Sequence, residues 1–180
     1  IERTMMAGFF AALDRMLAGL DPQVVVEIGA GEGRVTERLV ARFPNATVVG
    51  LDLPDTSLAD EWERIDVPMF FGDATRMPFV DRSVDLVVGL EVLEHIPQPE
   101  RALADIARVC RGATVLSVPR EPIWRAGNIA RGRYLGDLGN TPGHVNHWSA
   151  RSFNRFVGSR FDVTDVARPL PWTMVRARPR

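Results

Sequence analysis

Lysine is absent from the 180 residues: all 22 basic side chains are arginine, set against 23 Asp and Glu, for a net charge of −1. A lysine Schiff base and the phosphate-gripping lysine of a Walker loop are therefore excluded. The balanced charge also removes the cationic surplus that general nucleic-acid binding requires. The single cysteine, Cys110, leaves no internal disulfide to form and points to a reducing, cytoplasmic compartment. Its place after Ala107-Arg108-Val109, at a predicted helix end, marks it as a small buried filler. Also missing is any apolar run of the roughly 18 residues that a membrane-spanning helix needs. The apolar stretch from Met5 to Leu20 is interrupted by Asp14 and Arg15.

What remains is the composition of one soluble globular domain, and its patterning specifies the class. Met6, Phe9, Phe10, Leu13, Leu17 and Leu20 recur at three- and four-residue spacing, which predicts an amphipathic helix over 3–19. Five apolar runs come after it (24–28, 47–53, 69–71, 86–90, 113–118), with helical stretches at 35–43 and 100–110. Strands apolar on both faces, alternating with helices, specify a parallel sheet covered on both sides: a doubly wound α/β domain. Two further runs, 161–167 and 172–177, are joined only by Arg168-Pro169-Leu170-Pro171, too short for a crossover helix, so they must pair antiparallel. The expected fold is a mostly parallel seven-stranded sheet with an antiparallel last strand, in a single domain over 1–180. Between Pro119 and Trp148 lies an irregular stretch longer than an ordinary connection. It follows a strand's carboxyl end, where open α/β sheets bind ligands, and reads as a lid insertion over 120–148.

The sharpest motif is Val24-Val25-Val26-Glu27-Ile28-Gly29-Ala30-Gly31-Glu32-Gly33, a strand entering a glycine turn and then a helix. Glycines at 29, 31 and 33 let a ligand approach the backbone without meeting a Cβ; a tight connection with no ligand is the alternative. A dinucleotide fingerprint would place its third glycine at 34, where Arg34 stands. Asp52 closes the second strand 21 residues past Gly31, placed to accept both hydroxyl protons of a ribose.

With Phe71-Gly72-Asp73-Ala74 ending the third strand and Ser83 to Ile96 covering the fourth strand and the next helix start, the chain resembles a class I S-adenosylmethionine-dependent methyltransferase. It is similar to the group holding quinone and metabolite methyltransferases, most strongly over about 20–118. The resemblance implies a Rossmann-like fold, S-adenosylmethionine as cofactor and S-adenosylhomocysteine as product. It further implies Glu27, Gly29 and Gly31 around the methionine part, Asp52 on the ribose, Leu53 against the adenine, Asp73 with Ala74 at the adenine amino group, and Leu90 presenting backbone to the methionine amine. The expected activity is methyl transfer to a small-molecule acceptor, O-methylation ahead of N- or C-methylation. A metal-assisted RNA 2′-O-methyltransferase and a noncatalytic cofactor-binding or interaction domain are the alternatives.

A hydroxyl or protonated amine acceptor needs a base. His144 is the candidate, with hydrogen bonding to lid backbone as its alternative role. Trp124, Tyr134 and His147 are expected to line the acceptor. Glu91, Glu94 and His95 stand at i, i+3 and i+4, one face of a helix, and their spacing is similar to the metal site of some small-RNA and quinone methyltransferases. Packing and polar bonding around the helix start is the preferred reading, and no metal is expected. Arg120, Arg125, Arg131 and Arg133, opposed only by Glu121, suit an anionic acceptor; the alternative is an amphipathic helix in which Ile123, Trp124, Ile129 and Ala130 cover the site. Arg176, Arg178 and Arg180 are expected on a solvated strand edge.

Overall fold

The computed structural model describes residues 2–132 and 134–180, without the side chains of Glu2 and Leu135, so Ile1 and the Arg133 of the basic insertion lie outside the described residues. Among the described residues, seven strands form one sheet in the order β3-β2-β1-β4-β5-β7-β6. They are β1 (Val24–Ile28), β2 (Thr47–Asp52), β3 (Met69–Phe71), β4 (Val84–Leu90), β5 (Cys110–Pro119), β6 (Phe161–Ala167) and β7 (Trp172–Pro179). Strands β1 to β5 pair in parallel, and β7 runs antiparallel to both β5 and β6. The short loop between the last two strands thus produces the pairing its length demands, and β7 inserts between β5 and the edge strand β6.

Six α-helices cover this sheet among the described residues: α1 (Glu2–Leu17), α2 (Arg34–Arg42), α3 (Thr56–Trp62), α4 (Pro99–Val109), α5 (Ile123–Ala130) and α6 (Ala150–Val157). Consecutive strand residues feed opposite faces. Val26 and Ile28 pack with Leu103 and Ile106 of α4 and Phe153 and Val157 of α6. Val25 and Val48 pack instead with Phe9 and Leu13 of α1 and Leu39 of α2. No helix is long and apolar enough to cross a membrane among the described residues.

At the sheet's amino end, Asp85 accepts hydrogen bonds from the backbone amides of Gln23 and Val24, each at 3.0 Å, and pairs with Arg111. The Arg111 guanidinium first, and then these amides, hold its carboxyl below the usual range. At the other end the chain departs from β1 and β4, adjacent strands whose onward connections leave in opposite directions, and a crevice opens there.

Arg176 corrects one expectation. Strand β7 is not an edge, and the Arg176 guanidinium donates to the carbonyls of Met16 and Ala18, 3.3 and 3.0 Å away, at the carboxyl end of α1. There it satisfies groups that a helix leaves without partners. Arg180 bonds Asp162 and the Gly158 carbonyl across the true edge. Cys110 is buried at the start of β5, its thiol pushed up to about 11 by burial.

Candidate functional site

A cavity of about 530 Å³ fills the crevice. One wall is the turn after β1. Gly29, Gly31 and Gly33 all have left-handed backbone (φ 68°, 52° and 81°), which favours glycine at each. Open approach to a ligand is not the whole reason for them. A Cβ on Gly29 would fall 2.2 Å from Val92 Cγ2, and one on Gly33 the same distance from Ile65 Cδ1, so the turn is packed against this chain's own side chains. The Trp62 indole of α3 also locks it, donating to the Gly31 carbonyl at 2.8 Å.

Beneath the turn, Glu27 is buried and receives the Thr36 hydroxyl. Burial raises its pKa to about 8 against that hydrogen bond, with Asp52 adding to the rise. Glu27 and Gly31 do not line the cavity, whereas Gly29 does.

The second wall is the row of strand ends. Asp52 Oδ2 accepts the Gly31 amide at 2.6 Å and Oδ1 accepts the Leu53 amide at 2.7 Å. A carboxylate offers about four lone-pair sites, so about two remain to face the cavity. Leu53 is 58% exposed, an apolar side chain held at the rim without core contacts. Asp73 and Ala74 line the cavity beyond β3, with Asp73 Oδ1 fixed by the Thr75 amide at 2.7 Å. Below them Arg108 ties the loop down, bonding Asp105, Asp81 and the carbonyls of Met77 and Phe79.

The third wall follows β4. Leu90 ends the strand just short of the cavity, and the lining includes Glu91, Val92, His95, Gln98 and Arg101. Here the helical-face expectation fails. Glu91 has φ 59°, a left-handed turn, and only Leu93–His95 are helical, in a single 3₁₀ turn, so no continuous helix carries Glu91, Glu94 and His95 on one face. Glu91 instead receives the Ser117 hydroxyl at 2.9 Å. Its carboxyl is held well above the usual range by loss of water and by the neighbouring Glu94, against the Ser117 hydroxyl bond.

Glu94 is buried, neither carboxyl oxygen has a hydrogen-bond partner among the described residues, and burial raises its pKa to about 8. Donor atoms of Glu94, His95 and His144 lie within 4.8 Å of one another, a carboxylate and two imidazoles of the type that holds a transition-metal ion.

His144 is buried behind His95, ring centroids 4.8 Å apart, and does not itself line the cavity. Burial, with His95 and His147 nearby, lowers its pKa to about 4, so the imidazole is neutral at physiological pH. His95 Nδ1 bonds the Gly143 carbonyl at 3.0 Å. The exposed His147 bonds Asn140 at 2.7 Å, outside the cavity. Trp124 and Tyr134 line a separate cavity of about 200 Å³ between α1 and α5. Within α5, Ile123 and Ile129 are exposed, leaving Trp124 as the apolar cover.

The chain is similar to known proteins in sequence and in fold. Residues 26–117, just over half of the chain, match the methyltransferase domain family. A malonyl-[acyl-carrier protein] O-methyltransferase of Coxiella burnetii is 33% identical over 111 residues, covering 59% of this chain and 38% of that protein. A ubiquinone biosynthesis O-methyltransferase of Nitrosomonas europaea is 30% identical over 108 residues, covering 55% and 44%. The chain thus matches less than half the length of either relative. In fold it superposes on a SAM-dependent methyltransferase of Aquifex aeolicus with a TM-score of 0.73 at 16% identity, over 93% of this chain and 87% of that one.

Proposed function

The chain belongs to the class I S-adenosylmethionine-dependent methyltransferases, and from that premise we propose that it transfers a methyl group to an oxygen of a small-molecule acceptor. The observation that carries this reading is the pair of strand-end carboxylates, Asp52 and Asp73, facing one cavity beside the Gly29 turn. Both named relatives are O-methyltransferases, which supports oxygen as the acceptor atom.

The residues fit the cofactor. Asp52 keeps acceptor sites for two ribose hydroxyls, Leu53 offers an apolar surface for the adenine, and Asp73 with the Ala74 amide faces its polar edge. When bound, the cofactor supplies a methyl group already activated by a positive sulfonium. What the protein must add is alignment, exclusion of water and a place for the acceptor's proton. His144 is the proposed base: it is neutral at physiological pH, its lowered pKa makes it a weak acceptor of that proton, and it stands behind His95, which lines the cavity and touches it ring to ring. Segment 120–148 is the lid, anchored at its base where the Glu121 amide donates to the Trp148 carbonyl at 2.8 Å.

A metal-assisted transfer is the second reading, favoured by the Glu94, His95 and His144 cluster. The test of the proposal is incubation with methyl-labelled S-adenosylmethionine and a small-molecule extract. The expected product is a metabolite bearing the labelled methyl on oxygen; label on nitrogen or carbon refutes the oxygen assignment, and no labelled product at all refutes catalysis.

A further inference from the structure

The end of the 120–148 segment grips the 3₁₀ turn at the cavity wall. The amides of Val145 and Asn146 donate to the Glu94 carbonyl at 2.9 and 3.1 Å. The Asn146 side chain donates to the carbonyls of Leu93 and Ile96, 3.1 and 2.6 Å away. Carbonyls only accept, so the side-chain nitrogen with its two protons must be the atom that faces them. Leu93 and Ile96 stand at the two ends of the turn that carries Glu94 and His95, so one amide group holds it closed.

A further bond sets the state of the His95 ring. Its Nδ1 lies 3.0 Å from the Gly143 carbonyl. Because that carbonyl accepts, Nδ1 carries the proton, and in the neutral imidazole Nε2 is left with a lone pair. Among the described residues Nε2 has no hydrogen-bond partner, and the ring lines the cavity with Glu91 and Val92. Gly143 permits the approach: its φ of 84° is left-handed, and a Cβ there would crowd His95 Nδ1 at 3.3 Å.

A ring nitrogen in this state discriminates between oxygen acceptors. An alcohol or phenol donates its O–H to Nε2 and keeps its oxygen lone pairs, one of which can be aimed at the methyl carbon. A carboxylate has no proton to give, and its oxygens would face the Nε2 lone pair. The tautomer depends on the Gly143 carbonyl, and the ring's place depends on the turn, so both depend on the grip of Asn146 three residues beyond Gly143.

Resting on the methyltransferase reading, we infer that the acceptor is an alcohol or phenol whose hydroxyl donates to His95 Nε2, and that Asn146 is the positioning residue that holds the ring for it. The test combines nitrogen NMR of the chain carrying ¹⁵N-histidine, saturated with S-adenosylhomocysteine, and methyl labelling of the small-molecule extract. In the wild type, His95 should show one tautomer, protonated at Nδ1, and the labelled product should keep its methyl in alkali, as an ether does. Asn146→Ala should leave S-adenosylhomocysteine affinity within about twofold, mix the His95 tautomers and slow labelling by about tenfold or more. Asn146→Gln, which keeps both amide protons, recovers part of the rate, whereas Asn146→Asp, with no proton to give, does not. Label released by alkali as methanol marks an ester and overturns the hydroxyl acceptor. A wild-type His95 protonated at Nε2, or a folded Asn146→Ala protein with unchanged tautomer or unchanged rate, overturns the positioning role. Failure of the wild type to bind S-adenosylhomocysteine or to label any product refutes the methyltransferase reading itself; normal binding and labelling with either contrary result refutes this inference alone.

Discussion

Replacing Asp52 by alanine removes one carboxylate that performs two tasks, and the structure allows them to be separated. Two of its lone-pair sites hold the amides of Gly31 and Leu53 at 2.6 and 2.7 Å, and the remaining pair faces the cavity for the ribose hydroxyls. Hydrogen bonds to a charged group contribute about 1.5 to 3 kcal/mol each, so loss of both ribose bonds costs about 3 to 6 kcal/mol. At about 1.4 kcal/mol per tenfold, cofactor affinity should fall by roughly two to four orders of magnitude. Losing the internal bonds should lower the melting temperature without ligand. Asp52→Asn, which keeps one strong acceptor oxygen, should fall between wild type and alanine in affinity. Calorimetric titration with S-adenosylhomocysteine reads the first effect, and thermal denaturation of the free protein reads the second. A folded Asp52→Ala protein that binds S-adenosylhomocysteine as tightly as wild type would refute the assignment of this acid to the ribose.

Stability should depend on pH through Glu27. Its folded pKa, about 8, lies above the usual 4.5, so the native state holds an extra proton across that window and stability falls as pH rises through it. Glu27→Gln should reduce this slope in chemical denaturation at pH 5 and pH 8 without removing it, because Glu91 and Glu94 are raised as well; an unchanged slope means that the Glu27 carboxyl is not a source. His144→Ala should lower turnover and leave S-adenosylhomocysteine affinity within about twofold, since the cofactor cavity does not include it; unchanged turnover refutes its role as the base. Chelation should leave turnover intact because the methyl donor is self-activated. A loss restored by a divalent ion would instead assign the cluster of Glu94, His95 and His144 to metal. Hydrogen exchange should show segment 120–148 gaining protection when cofactor and acceptor are both present, and protection equal to the central strands without ligands would make it a static part of the core.

Much of this fold is written in residues whose neighbours in sequence are enough to place them. Val24 to Ile28 and Leu86 to Leu90 are apolar on both faces, which only a covered parallel sheet accommodates, and both form central strands. Helix α3 is not legible in the same way, because it buries none of its residues; α6 does carry a signal, Phe153, Phe156 and Val157 at i, i+3 and i+4 behind the Ser149 cap, but over only two turns. Asp52, Asp73 and Leu53 are readable as strand-end residues because the topology puts every such residue at one rim.

The wall formed by His95, Gln98 and Arg101 escapes a reading by spacing, because its position depends on the left-handed turn at Glu91, a conformation no spacing rule gives to a glutamate. Trp62 escapes it for a related reason: its indole reaches the Gly31 carbonyl from 31 residues away. The expectation of strand-edge arginines fails at Arg176 because sequence order does not reveal that β7, last in the chain, lies inside the sheet.

The central claim is that S-adenosylmethionine binds in the cavity between the Gly29 turn and the ends of β2, β3 and β4. A crystal structure of the chain grown with S-adenosylhomocysteine tests it most directly. Ligand density is expected in that cavity, with the ribose hydroxyls on Asp52 and the adenine beside Leu53, Asp73 and Ala74. Density at another site, or an empty cavity at saturating ligand, would contradict the claim.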